Sequence, residues 1–169
     1  MLRALAAILL VGTMPAAAAE PFTGPHVEAI AGYDRTDVGP GLGAAGGLLY
    51  GIGAGYDVAL DRIRVGGEVE ANDSTAAQAV TGVERRVGRS LYAGVRAGVV
   101  VASRLLVYAK GGYANGGFGD SFTGDGLRIG GGGEFALTGQ AFLRAEYRFS
   151  DYGQEARGQT WVAGLGLRF

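Results

Sequence analysis

The chain has 169 residues, 15 basic and 16 acidic side chains, a formal net charge of −1 and no cysteine. The missing cysteine excludes disulfides and thiolate metal sites, and the near-neutral charge gives no electrostatic basis for binding nucleic acid. The 33 glycines follow no collagen repeat, so they must serve a different structure, and the length fits one domain.

Residues 1–19 have the order of a secretory signal peptide. A basic start at Arg3 precedes a short apolar run and the small-residue cleavage site Ala17-x-Ala19, so Glu20 is the expected mature N-terminus. The apolar run is too short for a spanning helix. The alternative to a signal peptide, a retained membrane anchor or a buried helix, is therefore the less favoured interpretation. Cleavage removes one base and no acid, giving 15 − 1 = 14 basic and 16 acidic residues, a charge of −2.

After the signal peptide, the chain repeatedly alternates apolar and small or charged residues with the period of a β-strand. In the last segment, Trp161, Leu165 and Phe169 fall on one face, whereas Gly164 and Arg168 fall on the other. Each segment has about the ten residues that a tilted membrane strand needs. The eight segments are 26–33, 48–60, 62–71, 90–99, 105–113, 127–137, 142–149 and 159–169.

The connections between these segments alternate in length. We expect short turns near residues 60, 102 and 139, and longer polar loops at 34–47, 72–86, 114–126 and 151–158. Outer-membrane barrels pair short periplasmic turns with longer outer loops. The sequence therefore predicts an all-β fold, an eight-stranded antiparallel up-and-down transmembrane β-barrel with both termini at the periplasmic side.

In lipid, backbone hydrogen bonds must be satisfied within the protein, and strands achieve this only in a closed barrel. The face of the strands that carries no charge must then be the one that contacts lipid. Aromatic residues near segment ends would form the interfacial girdles; they are Tyr33, Tyr56, Tyr113, Phe135, Tyr147, Phe149, Trp161 and Phe169. A soluble lipocalin-type barrel is the alternative, but it would have its charges on the outer face.

The opposite face carries six acids and six bases, which we expect to form an ion-paired network inside the lumen. An eight-stranded barrel is only wide enough for side chains to fill, so the network would leave no permanent wide pore. Glycines on the same face would make room for the long side chains. The predicted network comprises Glu28, Asp57, Arg64, Glu68, Glu70, Arg96, Lys110, Arg128, Glu134, Arg144, Glu146 and Arg148.

Four segments make the chain resemble the small eight-stranded outer-membrane barrels of Gram-negative bacteria, which include opacity-type porin-family proteins and the membrane domain of outer membrane protein A. The segments are 108–114 (YAKGGYA), 130–137 (GGGGEFAL), 144–149 (RAEYRF) and 162–169 (VAGLGLRF). The resemblance implies an assembly signal read by the barrel-assembly machinery, formed by Trp161, Leu165, Leu167 and Phe169.

The residues that could carry catalysis are few. His26 is the only histidine, and lipid A deacylases use a His–Ser pair on the outer surface of such a barrel, but His26 lies on the inward face near the periplasm. Glutamates on the inner face could suggest a glycosidase pair, yet six bases around them favour ion pairing. We therefore expect no catalytic residues.

Ligand-binding patterns are equally weak. Gly51-x-Gly53-x-Gly55 and residues 130–133 lack the strand–turn–helix context of phosphate loops, and Asp120 with Asp125 matches no EF-hand. The basic run at 84–89 could bind lipopolysaccharide phosphates, although a solvated face is the favoured interpretation. We expect no cofactor and no metal.

Three functions remain open at this point. The favoured one is a monomeric, non-enzymatic outer-membrane barrel with a structural or surface-interaction role in the envelope. The alternatives are a small porin for ions or small solutes and an enzyme that modifies lipid A. The expected partners are outer-membrane lipid, lipopolysaccharide and, during insertion, the barrel-assembly machinery.

Overall fold

A computed structural model describes residues 22–37, 44–80, 83–118, 122–153 and 157–169; the predicted signal peptide at 1–19 lies outside them. Within these ranges, no helix is both long enough and apolar enough to cross a membrane. The strands are β1 (Gly24–Asp37), β2 (Ala44–Leu60), β3 (Ile63–Ser74), β4 (Ala77–Val80), β5 (Val83–Ala102), β6 (Leu105–Phe118), β7 (Phe122–Ala136), β8 (Ala141–Asp151) and β9 (Arg157–Arg168).

Eight of these strands close into an antiparallel barrel in the order β1–β2–β3–β5–β6–β7–β8–β9. The seam is the pairing of β9 with β1, which runs from His26 opposite Arg168 to Asp37 opposite Arg157. The short strand β4 forms a hairpin with the outer part of β5. The predicted fold, an eight-stranded up-and-down barrel, is confirmed.

The three short turns lie where the sequence predicts them, at residues 61–62, 103–104 and 137–140. The four longer connections are shorter than predicted, because the strands continue into segments that we expected to be loops. Polar residues there mark the exit from lipid into water, and cross-strand hydrogen bonds continue beyond that point. The loop bounds 34–47, 72–86, 114–126 and 151–158 were therefore wrong.

Backbone hydrogen bonds tie each short turn to the strand beyond it. In each case the carbonyl oxygen of the last turn residue accepts a hydrogen bond from a backbone amide on the next strand around the barrel. The donor–acceptor pairs are Val100 N to Arg62 O at 2.9 Å, Ala136 N to Arg104 O at 2.9 Å and Arg168 N to Gln140 O at 2.8 Å. Phe169 N bonds to Pro25 O at 2.9 Å and completes the ring at the seam.

The two faces of the strands differ as the alternation predicts. Large apolar side chains point outward, and Ile52, for example, is 66% exposed. The charged side chains point inward, and Glu134 is 0% exposed. At the outer interface, the rings of Tyr147 and Trp161 lie 4.7 Å apart on neighbouring strands. Such a barrel has an apolar outer wall suited to lipid and a charged interior.

Candidate functional site: the charged lumen and its two ends

Two carboxylates, Asp57 of β2 and Glu134 of β7, organise the periplasmic half of the lumen, here called the lower layer. Arg96 of β5 donates to Asp57 through two bonds, Nε to Oδ1 at 2.8 Å and Nη2 to Oδ2 at 2.5 Å. Its Nη1 donates to Glu134 Oε1 at 2.5 Å. Such forked, charge-assisted bonds fix both the distance and the orientation of the partners.

Two residues outside the predicted network also join the lower layer. Arg168 donates to Asp57 Oδ2 at 2.8 Å and to Glu134 Oε2 at 2.9 Å. His26 is buried, with Nδ1 3.3 Å from Asp57 Oδ2 and its ring nearly perpendicular to that of Phe142 at 6.0 Å between the ring centres. Both residues share the inward parity of the charged set, and this parity could have identified them.

Arg144 of β8 connects the lower layer to the outer half of the lumen. Its Nη2 donates to Glu134 Oε1 at 2.8 Å and its Nη1 to Glu28 Oε1 at 2.5 Å. The same Nη1 lies 3.5 Å from Glu68 Oε2. One guanidinium thus bridges carboxylates from β1, β3 and β7, so it ties together walls that the sheet hydrogen bonds do not join.

The upper layer is built around the ammonium group of Lys110, which lies among three glutamates. Its Nζ is 2.6 Å from Glu68 Oε1, 2.7 Å from Glu70 Oε1 and 2.9 Å from Glu146 Oε1. Arg148 contacts two of these glutamates, with Nη2 2.8 Å from Glu70 Oε1 and Nε bonded to Glu146. All five side chains are buried, and each of the two cations contacts at least two of the three glutamates.

Aromatic rings fill the gaps between these charges. The guanidiniums of Arg96 and Arg144 lie 5.1 Å and 5.4 Å from the ring centre of Tyr108, whose hydroxyl donates to Glu146. Lys110 Nζ lies 4.7 Å from the ring centre of Tyr92. Cations within about 6 Å of a ring face are attracted by its quadrupole, so the rings stabilise the cations as well as fill space.

Two predicted network members lie at the margins. Arg128 donates to Ser150 Oγ at 2.9 Å and to Ser90 Oγ at 3.1 Å, while Glu70 Oε2 is 3.8 Å away. Arg64 donates to the backbone carbonyl of Asp61 at 2.6 Å, at the β2–β3 turn. Arg128 therefore links the network to a hydroxyl-rich outer end, whereas these bonds of Arg64 are made to the backbone of a periplasmic turn.

The two ends of the lumen have opposite character. The outer end holds a recess of about 30 Å³ lined mainly by polar groups, including Asp34, Asn72, Arg128, Ser150 and Thr160. This volume suits about one water molecule. The periplasmic end is apolar, because Phe22, Leu106, Tyr108, Val100 and Ala136 pack together there.

The other sequence candidates are distributed along the strands. Residues 51–55 and 130–133 lie inside β2 and β7, so neither forms a loop before a helix. Asp120 lies outside the described residues, and Asp125 accepts a hydrogen bond from Asn115 at 2.5 Å. The basic run at 84–89 belongs to β5, where its first three residues pair with β4.

The residues of the proposed assembly signal all lie on the outer face of the barrel at the seam. Trp161, Leu165 and Leu167 alternate along β9, and Phe169 follows the end of that strand. Opposite the first three on β1 are Tyr33, Ala29 and Val27. The aromatic and aliphatic groups are therefore accessible from the lipid side.

Comparison with known families agrees with this architecture. A family model described as the outer membrane protein beta-barrel domain matches residues 4–169. The chain belongs to this family. It is therefore a β-barrel of the bacterial outer membrane and a component of the cell envelope.

Solved structures of the same fold come from several bacteria. Neisserial surface protein A has a TM-score of 0.69 at 22% identity, with 87% of this chain and 98% of that chain covered. Ail, the attachment invasion locus protein of Yersinia pestis, has a TM-score of 0.58 at 15% identity, covering 86% and 99%. OprG from Pseudomonas aeruginosa has a TM-score of 0.58 at 12% identity, covering 89% and 98%. A search of curated proteins found no match.

Proposed function

We propose that this protein is a non-enzymatic outer-membrane barrel whose lumen is closed to solutes and whose outer end interacts with molecules at the cell surface. The observation that carries the proposal is the interior, where two layers of ion-paired side chains extend from the apolar periplasmic end to the outer recess. A solute would have to break several buried ion pairs in order to pass.

Planar-bilayer recording tests the closed lumen. We expect no steady single-channel steps from the wild-type barrel. The matched control is the triple variant Arg144→Ser, Glu134→Ser and Phe22→Ala, which removes one base and one acid at constant charge and also removes the aromatic ring at the periplasmic end. Steps in the control alone would support closure, whereas reproducible steps from the wild type would favour the porin alternative.

The surface role draws on the outer end and on the relatives. The hairpin of β4 and β5 and the long β2 extend the outer edge of the barrel. Ail is named for attachment and invasion, and another structure of it contains the heparin analogue sucrose octasulfate. At 16% identity this likeness supports the fold, and adhesion by the present chain is our hypothesis.

An adhesion assay with cells that express the barrel tests this role. Replacing residues 77–86 with a two-residue turn should lower adhesion without lowering the amount of heat-modifiable folded barrel in the membrane. The control replaces the periplasmic turn residue Ser103 with alanine. Unchanged adhesion in the hairpin variant would remove that hairpin from the proposed surface.

The remaining partners are also proposals. Lipid and lipopolysaccharide would surround the apolar outer wall, and the barrel-assembly machinery would read Trp161, Leu165, Leu167 and Phe169 during insertion of a monomer. Lipid A mass spectra with and without expression test the absence of enzymatic activity. We expect identical spectra, and a new lipid A species would contradict the proposal.

A further inference from the structure

Phe22 is a buried aromatic residue at the base of the barrel, two positions before β1. It is 3% exposed and packs against Leu106 and Tyr108 of β6. In the closed ring, β6 is four strands from β1 in either direction, so it forms the opposite wall. The side chain of Phe22 therefore spans the periplasmic mouth of the lumen.

The backbone around Phe22 has an unusual conformation, which positions the aromatic ring in the periplasmic mouth of the lumen. Phe22 has a φ of 66°, a left-handed conformation that is an outlier for a bulky residue. Gly24 has a φ of 88°, and a side chain there would overlap the backbone oxygen of Phe169. Backbone outliers of this kind persist when the surroundings hold them in place, and they concentrate at functional positions.

Phe22 lies next to the lower charged layer, on its periplasmic side. Tyr108, on which Phe22 packs, also lies beside the guanidiniums of Arg96 and Arg144. Leu106 is buried in the same cluster. Phe22 thus covers the lower layer on the periplasmic side, whereas the hydroxyl-rich outer end has a recess with room for water.

We propose that Phe22 is a stopper that seals the periplasmic end of the lumen. The charged layers then exchange water and ions mainly through the outer end, and the outer recess has no continuation into the periplasm. The seal would act in the same way whichever molecule the outer surface binds.

Thiol labelling tests this directly, because the chain contains no native cysteine. Ala136→Cys places a thiol beside Phe22 inside the mouth, and a charged, membrane-impermeant methanethiosulfonate is the probe. With Phe22 present we expect slow labelling of the folded protein. Phe22→Ala should accelerate it at least tenfold, and Phe22→Leu should keep it close to the original rate.

Two control thiols locate the effect. Ser103→Cys, at an exposed periplasmic turn, and Ser90→Cys, at the outer recess, should each label at the same rate whether Phe22 is retained or replaced by alanine. Heat-modifiable migration selects the folded fraction, and Phe22→Gly, which suits the left-handed backbone at this position, provides a second truncation if Phe22→Ala folds poorly. Two results would overturn the proposal: rapid labelling of the Ala136→Cys thiol while Phe22 is in place, or no acceleration in folded Phe22→Ala or Phe22→Gly.

Discussion

Gly131 and Gly132 are neighbours on β7, yet a methyl group at these two positions would meet different surroundings. At Gly131, on the outer face, the nearest atom would be Tyr108 O at 3.4 Å, an ordinary contact. At Gly132, on the inner face, Glu146 Cα would lie at 2.9 Å and the carbonyl oxygen of Ala145 nearer still. On the inner wall, neighbouring protein atoms therefore limit which side chain fits. On the outer wall, the main requirement is that the side chain be compatible with lipid.

This difference predicts how substitutions should act on the two faces. On the inner face, identity and size matter at each position, because every side chain has particular neighbours. On the outer face, polarity matters and shape matters little, since lipid chains adapt to the surface. Four experiments test this contrast, in order of decreasing expected effect.

The largest effect should come from Glu134→Ala. Arg96, Arg144 and Arg168 all donate to this carboxylate, so its removal leaves buried cations without a shared partner. Breaking a buried pair in this way costs about 3–5 kcal/mol. Urea unfolding in lipid vesicles, followed by the emission of the single tryptophan, Trp161, measures the loss; Asp125→Asn on the exposed surface is the control.

Ile52→Arg should have the next largest effect. Arginine on the lipid face costs about 2–4 kcal/mol near the bilayer midplane, so assembly should fail in a large fraction of molecules. The folded fraction is read from heat-modifiable migration on gels. Ser121→Arg, in the polar segment 114–126, serves as the comparison, and equal folded fractions for the two variants would contradict a lipid-facing Ile52.

The adjacent glycines provide a matched pair. Gly132→Ala should destabilise the barrel by about 1–3 kcal/mol, because the added methyl overpacks the inner wall. Gly131→Ala should be neutral or stabilise the barrel by up to about 1 kcal/mol, because alanine restricts the unfolded chain. Unfolding midpoints in the same vesicles decide the point, and a similar loss for both variants would remove the contrast between faces.

The smallest effect should come from Asp151→Asn. Arg157 Nε lies 3.4 Å from Asp151 Oδ2, but the two side chains are well exposed at the outer rim. Exposed pairs of this kind contribute less than about 1 kcal/mol and are screened by salt. The stability change should therefore be within error at about 0.5 M salt. A loss of stability as large as that of Glu134→Ala would show that the exposure of an ion pair does not predict its contribution to stability in this barrel.

The sequence predicts the faces of the strands well, because side-chain alternation is a local property. Strand number and the positions of the short turns follow from the same pattern. The extent of the outer strands does not, since polar residues are compatible with both paired strands and loops. Strand β2, for example, begins at Ala44 inside a segment that we expected to be a loop.

The partners within the lumen depend on register and on side-chain reach across the barrel. Alternation places Arg168 on the inner face, but only the three-dimensional arrangement shows that it joins Asp57 and Glu134. Phe22 lies outside any alternating segment, so no periodic pattern identifies its position in the mouth. Side-chain contacts across the lumen of the barrel are the part of the site that the sequence does not predict.

The extra length of β2 has a consequence for how the molecule stands in the envelope. Its 17 residues correspond to roughly 56 Å of strand at about 3.3 Å per residue. With a tilt of about 40°, this gives a height of roughly 43 Å, against an apolar band of about 25 Å. The surplus belongs to a paired ribbon, because β2 stays hydrogen-bonded to β1 out to Ala44 opposite Asp37, so ordered backbone pairing continues well past the apolar band.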